Sequence, residues 1–201
     1  MKKIVNDVNN VEEEMIQGLV KSAPKKLRKL DYGTIVVRAD KKEDKVALVS
    51  GGGSGHEPAH AGYVGTGMLD CAVAGTVFTS PTPDQVLEGI KAVATDKGVL
   101  CVVKNYTGDV MNFEMAIEMA ADEDIKADYV VVNDDVAVRD SLYTTGRRGV
   151  AGTIFVHKIA GAKAKQGAEL PEVKAVAEKV IANVRSMGMA IEPCTDRKSV
   201  V

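Results

Sequence analysis

An α/β fold, with a mainly parallel sheet and helices on both its faces, is what this sequence predicts. Three observations predict it. Short runs rich in valine, isoleucine and leucine, at residues 34–38, 45–49, 98–103 and 129–132, read as buried strands. Segments of helical periodicity stand between and after them, the alternation that builds a parallel sheet covered on both sides. Polar clusters follow three of the strands, at 51–56, 104–109 and 133–135, and ligands of open parallel sheets collect at the carboxyl ends of strands. One cleft lined by all three clusters is the expectation.

In chain order, Asn10 stands where an N-cap is needed. Glu12, Glu13 and Glu14 then put negative charge in the first helical turn, where the helix dipole favours it. Met15, Leu19 and Val20 supply an apolar stripe, and Pro24 closes the segment. The basic stretch 25–29 reads as a solvated face. After the strand at 45–49, four glycines between Gly51 and Gly55 free the backbone to bend and to bring amide N–H groups towards a ligand. His56 sits at the far lip of that loop. Thr82, Pro83, Asp84 and Gln85 have the form of a capping box with proline at the first helical position, predicting a helix to about Thr95. Between 110 and 121 the spacing of Met111, Met115, Ile117 and Met119 suits another helix. Gly146 and Gly149 punctuate the chain before two more, over 150–165 and from 172 to about 186.

Composition narrows the function classes. With 201 residues the chain suits one α/β domain and the start of a second, and needs no disulfide or metal staple to hold its core. A formal net charge of −2 gives no electrostatic case for nucleic acid or for anionic lipid. Aromatic residues at 4% and the absence of tryptophan argue against a base-stacking platform. No apolar run approaches the roughly 20 residues that span a bilayer, and the N-terminus turns polar at once, so no membrane partner is expected. Cys71, Cys101 and Cys194 lie far apart, and the first two sit in apolar runs, which fits a reducing, cytoplasmic setting.

Two named motifs fail at the glycine run. The Walker A lysine and hydroxyl are missing, and His56 stands where G-x-G-x-x-G needs its last glycine. His56-Glu57-Pro58-Ala59-His60 matches H-E-x-x-H in letters, but zinc chemistry needs both histidines on one established helix, and here they open from a glycine turn. No metal site is expected. His56 with Asp109 is the better pairing, because a carboxylate beside an imidazole fixes its tautomer and prepares it as a general base. Asp109 has a second reading as the N-cap of the helix after it, and Lys104 one as a solvated strand-end lysine. Asp134 and Asp135 either meet a partner's charge or punctuate the strand. In the loop 143–148, Arg147 and Arg148 read as surface ion pairs or as contacts to a phosphoryl carrier. His157 lies in an apolar helix and reads as structural.

Taken together and in order, residues 51–58, 78–83, 104–109, 133–138 and 146–150 resemble the dihydroxyacetone (glycerone) kinase family. The likeness is to its substrate-binding subunit in the bacterial, phosphoenolpyruvate-dependent branch, and runs from Met1 to about Thr195. It implies a phosphotransferase of glycerol metabolism, with dihydroxyacetone held by Gly53, Ser54, Gly55, His56, Lys104 and Asp109. His56 would be the acid/base residue and Asp109 would cooperate at the substrate hydroxyls. It further implies a homodimer and no cofactor in this chain. ADP and Mg²⁺ would sit on a helical partner subunit, recharged by a phosphotransferase-system phosphoryl carrier. A non-catalytic dihydroxyacetone-binding co-activator is the alternative within the same fold.

The resemblance also implies a further histidine, in a second α/β domain, that bonds covalently to the substrate carbonyl; this sequence stops before that region. The expectation is a substrate-site domain over 1–186, the start of a truncated second domain over 187–195, and a non-native tail over 196–201 that reads like translated sequencing-adapter DNA. Such a fragment is expected to bind substrate weakly and to be inactive alone.

Overall fold

A computed structural model describes residues 5–40, 43–138 and 144–191. Helix α1 (Val11–Ser22) leads into an antiparallel pair, β1 (Leu27–Lys29) and β2 (Ile35–Arg38). There follow β3 (Ala47–Ser54), β4 (Cys71–Val77), α2 (Pro83–Val93), β5 (Val99–Lys104), α3 (Thr107–Asp122), β6 (Ala127–Val132), α4 (Thr153–Lys165) and α5 (Leu170–Asn183). The strands form one six-stranded sheet in the order β1-β2-β4-β3-β5-β6. β4, β3, β5 and β6 run parallel, as expected; β2 joins β4 antiparallel.

Alternation along the strands splits the core in two, because successive side chains leave opposite faces of a sheet. Val99, Cys101 and Val103 of β5 pack with Ile90 of α2 and Phe113 and Ala116 of α3. Leu100 and Val102 turn the other way, towards Ile16 of α1, Val156 and Ala160 of α4 and Val173 and Ala177 of α5. Helices therefore cover both faces. The chain runs from β3 to β4 on one side, then α2 carries it back past β3 to β5 on the other. That reversal opens a crevice at the carboxyl end of β3.

Several elements match their sequence signals. Thr82 and Gln85 form the full reciprocal capping box of α2, with Pro83 opening the helix. Asn10 occupies the N-cap position of α1 without a side-chain capping bond. Met15, Leu19 and Val20 form the expected apolar stripe of α1, packed around the buried Ile16. Other expectations are corrected. Half-buried and exposed residues of the basic stretch form β1, a three-residue edge strand whose Leu27 enters the core. β4 was not foreseen at all: Cys71–Val77 mixes alanine, glycine and threonine, and only its burial between β2 and β3 makes it a strand. α3 begins at Thr107 with Tyr106 as its N-cap residue, so Asp109 lies inside the first turn rather than at the cap.

The run expected as a loop is the end of β3. Gly51, Gly52 and Gly53 pair in register with Val73, Ala74 and Gly75 of β4, and the ladder shifts between Gly53 and Ser54. Here glycine serves close approach. A Cβ on Gly51 would stand 2.5 Å from the Val73 carbonyl oxygen, and one on Gly53 would stand 2.6 Å from the Thr79 amide nitrogen. Only at Gly55, with φ +114° and the Phe78 ring against it, does the chain turn as the sequence suggested.

Residues 187–191 carry no helix or strand. Cys194, Tyr143, residues 192–195 of the expected second domain and the tail 196–201 lie outside the described residues. No helix among the described residues is long and apolar enough to cross a membrane.

Candidate active site

β3 supplies the floor. Its glycines leave no side chains there, and Ser54, buried, donates its hydroxyl to the Gly75 carbonyl at 2.7 Å. The Gly55 amide is already committed, donating to Glu57 Oε1 at 3.0 Å. Of the run singled out from sequence, Gly53 and Ser54 line a hollow of about 340 Å³ beneath α1, and His56 borders a second hollow of about 260 Å³ beside α4. Ala59 and His60 form the wall common to both.

β5 ends in Lys104, buried at 6% exposure and lining the second hollow with His56 and His60. The loop before α4 closes on it: Asn105 Nδ2 donates to the carbonyls of Thr145 and Arg147, at 3.0 and 2.8 Å. A Cβ on Gly149 would come within 2.9 Å of Lys104 Cα, so that approach needs glycine. Burial lowers the Lys104 pKa, against the pull of the Asp109 and Asp134 carboxylates.

Asp109, on the first turn of α3, is 6% exposed, and its Oδ1 has no hydrogen-bond partner in the protein. Burial raises its pKa from 3.8 to about 6, although a Ser80 hydrogen bond and the Lys104 charge both oppose the rise. His56 is exposed, yet the protein around it and the Lys104 charge hold its pKa below the ordinary value, with Glu57 opposing. The charge felt by both His56 and Asp109 is that of Lys104. Lys104 is thus within electrostatic reach of each of the other two, while the expected hydrogen bond between the His56 imidazole and the Asp109 carboxylate is not formed.

Two histidines missed as site residues complete the wall. His60 sits in the turn after Pro58, its ring 5.7 Å from that of His56 and 6.1 Å from that of His157, both edge-on. The signal for His60 was the H-E-x-x-H match; residues 57–60 are turns, so the helix such a zinc site requires is not formed. His157, buried in α4, faces the same hollow, and burial and Lys104 depress its pKa to about 3. Asp134 and Asp135 hold structure together instead. Fully buried Asp134 accepts from the amides of Val150 and Gly152, at 2.8 and 2.7 Å, and from the Ser186 hydroxyl. Asp135 is paired with Arg148 at 2.7 Å, so that arginine is a surface ion-pair partner. The hydrophobic surroundings of Cys71 and Cys101 leave both thiols buried and free, with their pKa values raised.

Comparison with known proteins gives a consistent picture. Residues 17–199 match the Dak1 domain. The chain is 61% identical to the dihydroxyacetone-binding subunit of the PTS-dependent dihydroxyacetone kinase 1 of Listeria innocua, over 97% of this chain and 59% of that protein. Against the crystal structure of the dihydroxyacetone kinase of C. freundii the TM-score is 0.85 at 42% identity, covering 90% of this chain and 34% of that one. A dihydroxyacetone kinase operon co-activator superposes with a TM-score of 0.77 at 42% identity, covering 83% of this chain and 51% of that one. The chain therefore spans less than two thirds of the length of the relatives it matches.

Proposed function

Because the chain belongs to the Dak1 domain family, we propose that it provides the dihydroxyacetone site of a PTS-dependent dihydroxyacetone kinase. The observation that carries this reading is Lys104 at the carboxyl end of β5, sharing a hollow with His56 and drawn on by the Asp109 carboxylate of α3, next to the sheet's reversal point. A triose ketone is small, neutral and polar. Backbone groups of Gly53 and Ser54, the carbonyl of Gly55, one carboxyl group and one ammonium suit it better than a cationic trap would.

The residues divide the work as follows. Lys104 directs its charge towards a ligand oxygen. Asp109, with a pKa of about 6, exchanges its proton close to neutrality and orients the substrate hydroxyls. His56 is neutral at physiological pH because its pKa is depressed, so its ring nitrogen can take the hydroxyl proton as the oxygen acquires the phosphoryl group. Placing that hydroxyl in line with a donor is mostly positioning and charge stabilisation. Among the described residues no group of three or more His, Cys, Asp or Glu is spaced to hold a metal ion. ADP and Mg²⁺ belong, in this proposal, to a helical partner subunit fed by a phosphotransferase-system carrier, and a homodimer is the expected assembly.

The decisive test is His56→Ala in the complete subunit, assayed with its partner. Phosphate transfer should be lost while unfolding by urea is unchanged, since His56 is exposed and outside the core. Near-normal turnover would overturn the role. The likeness to the operon co-activator favours a second reading, a non-catalytic dihydroxyacetone-binding paralogue. Affinity capture separates the two: recovery of an ADP-carrying helical subunit supports the kinase, and recovery of a DNA-binding protein supports the co-activator.

A further inference from the structure

Of the three glutamates that open α1, Glu12 alone is buried, at 9% exposure. Its Oε1 accepts from the Val77 amide at 2.7 Å, a bond across 65 residues of chain. The reason lies in β4. β2 carries its ladder along β4 no further than Ile35 and Val73, with the Ala74 amide donating to the Thr34 carbonyl. The ladder to β3 runs on and slips one residue at its end, pairing Gly53 with Gly75 and Ser54 with Val77. Amides alternate sides along a strand. Past the slip, Phe78 donates to the Ser54 carbonyl at 2.8 Å, and the Val77 amide faces the side that β2 has left. A strand amide without a partner is costly, and Glu12 supplies the acceptor.

What Glu12 holds is the turn after β4. Phe78 has φ +53°, in the left-handed region, where a bulky side chain is disfavoured and persists only if its surroundings impose it. That turn is packed against the site. A Cβ on Gly53 would stand 2.9 Å from the Phe78 backbone, and one on Gly55 would stand 2.7 Å from Phe78 Cε1. Two residues on, the Ser80 side chain donates to Asp109, and a Cβ on Gly108 would stand 2.9 Å from Ser80 Oγ. Asn112 of α3 closes the far end, its Nδ2 donating to the Pro81 carbonyl at 2.7 Å. The segment 77–81 is thus tied to α1 at one end and to α3 at the other, with the glycine floor and the Asp109 carboxyl between.

Resting on the dihydroxyacetone reading above, we propose that Glu12 is a positioning residue of that site: its carboxylate, on the Val77 amide, holds the Phe78 turn in the shape that walls Gly53 and Gly55 and sets Ser80 against Asp109. It touches no substrate and acts through the turn. Glutamine in its place keeps an acceptor oxygen at the same reach, and leucine keeps the bulk without one. Both remove the negative charge from the first turn of α1, so the difference between them isolates the hydrogen bond from the helix dipole.

NMR of this chain reads the bond directly. The Val77 amide proton should shift as the Glu12 carboxyl titrates, and a Val77 signal indifferent to that titration overturns the proposal. In Glu12→Leu the amides of Val77 and Phe78 should exchange with solvent about tenfold faster or more, while those of β5 keep the parent's rates. The Asp109 carboxyl should titrate at a higher pH there, because the Ser80 bond lowers its pKa alongside the Lys104 charge that faces it from β5. Dihydroxyacetone, followed by its shifts at Gly53 and Lys104, should bind roughly three- to tenfold more weakly. Glu12→Gln should stay within about twofold of the parent in exchange and affinity, with the Asp109 midpoint in place. Three results each overturn the proposal: β5 amides accelerated as much as Val77, equal effects in the two variants, or an unchanged Asp109 midpoint or affinity in Glu12→Leu. These defeat this inference alone. Dihydroxyacetone that moves no resonance of Gly53, Lys104 or Asp109 in the parent defeats the dihydroxyacetone reading and the inference with it.

Discussion

Replacing Asp109 with asparagine should stabilise the protein at alkaline pH. In the unfolded chain this carboxyl titrates at 3.8, and in the folded protein burial lifts it to about 6. The folded state therefore binds more protons than the unfolded state between those values, and stability falls as pH rises through the window. Below pH 3.8 the group favours folding in full; above about 6 the whole contribution is gone. At about 1.4 kcal/mol per tenfold change, the gap is worth about 3 kcal/mol. Asparagine keeps the shape and a group for Ser80 to meet, and carries no charge to desolvate. It also deprives Lys104 of an opposite charge, which takes back part of the gain. Urea unfolding of the parent and Asp109→Asn should therefore differ little near pH 4 and by about 1–3 kcal/mol in favour of the variant at pH 8. A variant that is equally or less stable at pH 8 would refute the claim that Asp109 is held at an energetic cost for its chemistry.

Other outcomes follow from the same geometry. Gly53→Ala should cost about 1–3 kcal/mol in chemical denaturation, because its Cβ would meet the Thr79 amide nitrogen at 2.6 Å and the Phe78 backbone at 2.9 Å. Asp134→Ala strips two buried amides and a serine hydroxyl of their acceptor. It should destabilise by about 3 kcal/mol and speed hydrogen exchange at Val150 and Gly152 first. Cys71 and Cys101, buried with raised pKa values, should not react with a thiol reagent at pH 8 until urea unfolds the chain.

Much of this was legible in the residues, and what was not has physical reasons. The strands at 45–49, 98–103 and 129–132 declare themselves because a parallel strand buried on both faces must be apolar throughout. The capping box at Thr82 is local chemistry and reads locally. β4 is different: Cys71–Val77 has modest strand propensity and becomes a strand through the ladders on either side, which no window of sequence contains. For the same reason the glycine run looked like a loop, since glycine marks both a turn and a place where two backbones press together. Within the site, Lys104 and Asp109 were found because they end a strand and begin a helix. His60 and His157 were passed over because what joins them is a 6.1 Å approach across the fold, which no stretch of sequence contains.

The glycine floor belongs to the strand with neighbours on both flanks. Val49 and Ser50 pair with Cys71 and Ala72 on one side and with Cys101 and Val102 on the other. Such a strand cannot fray by itself; its amides exchange with solvent only when the whole sheet lets go. The glycines themselves lie just past this doubly flanked stretch and pair with β4 alone, so the floor is anchored at its base and can open at its tip before the sheet does. Damage in the two cores on either side of β3, however remote from His56, loosens the base on which that floor stands.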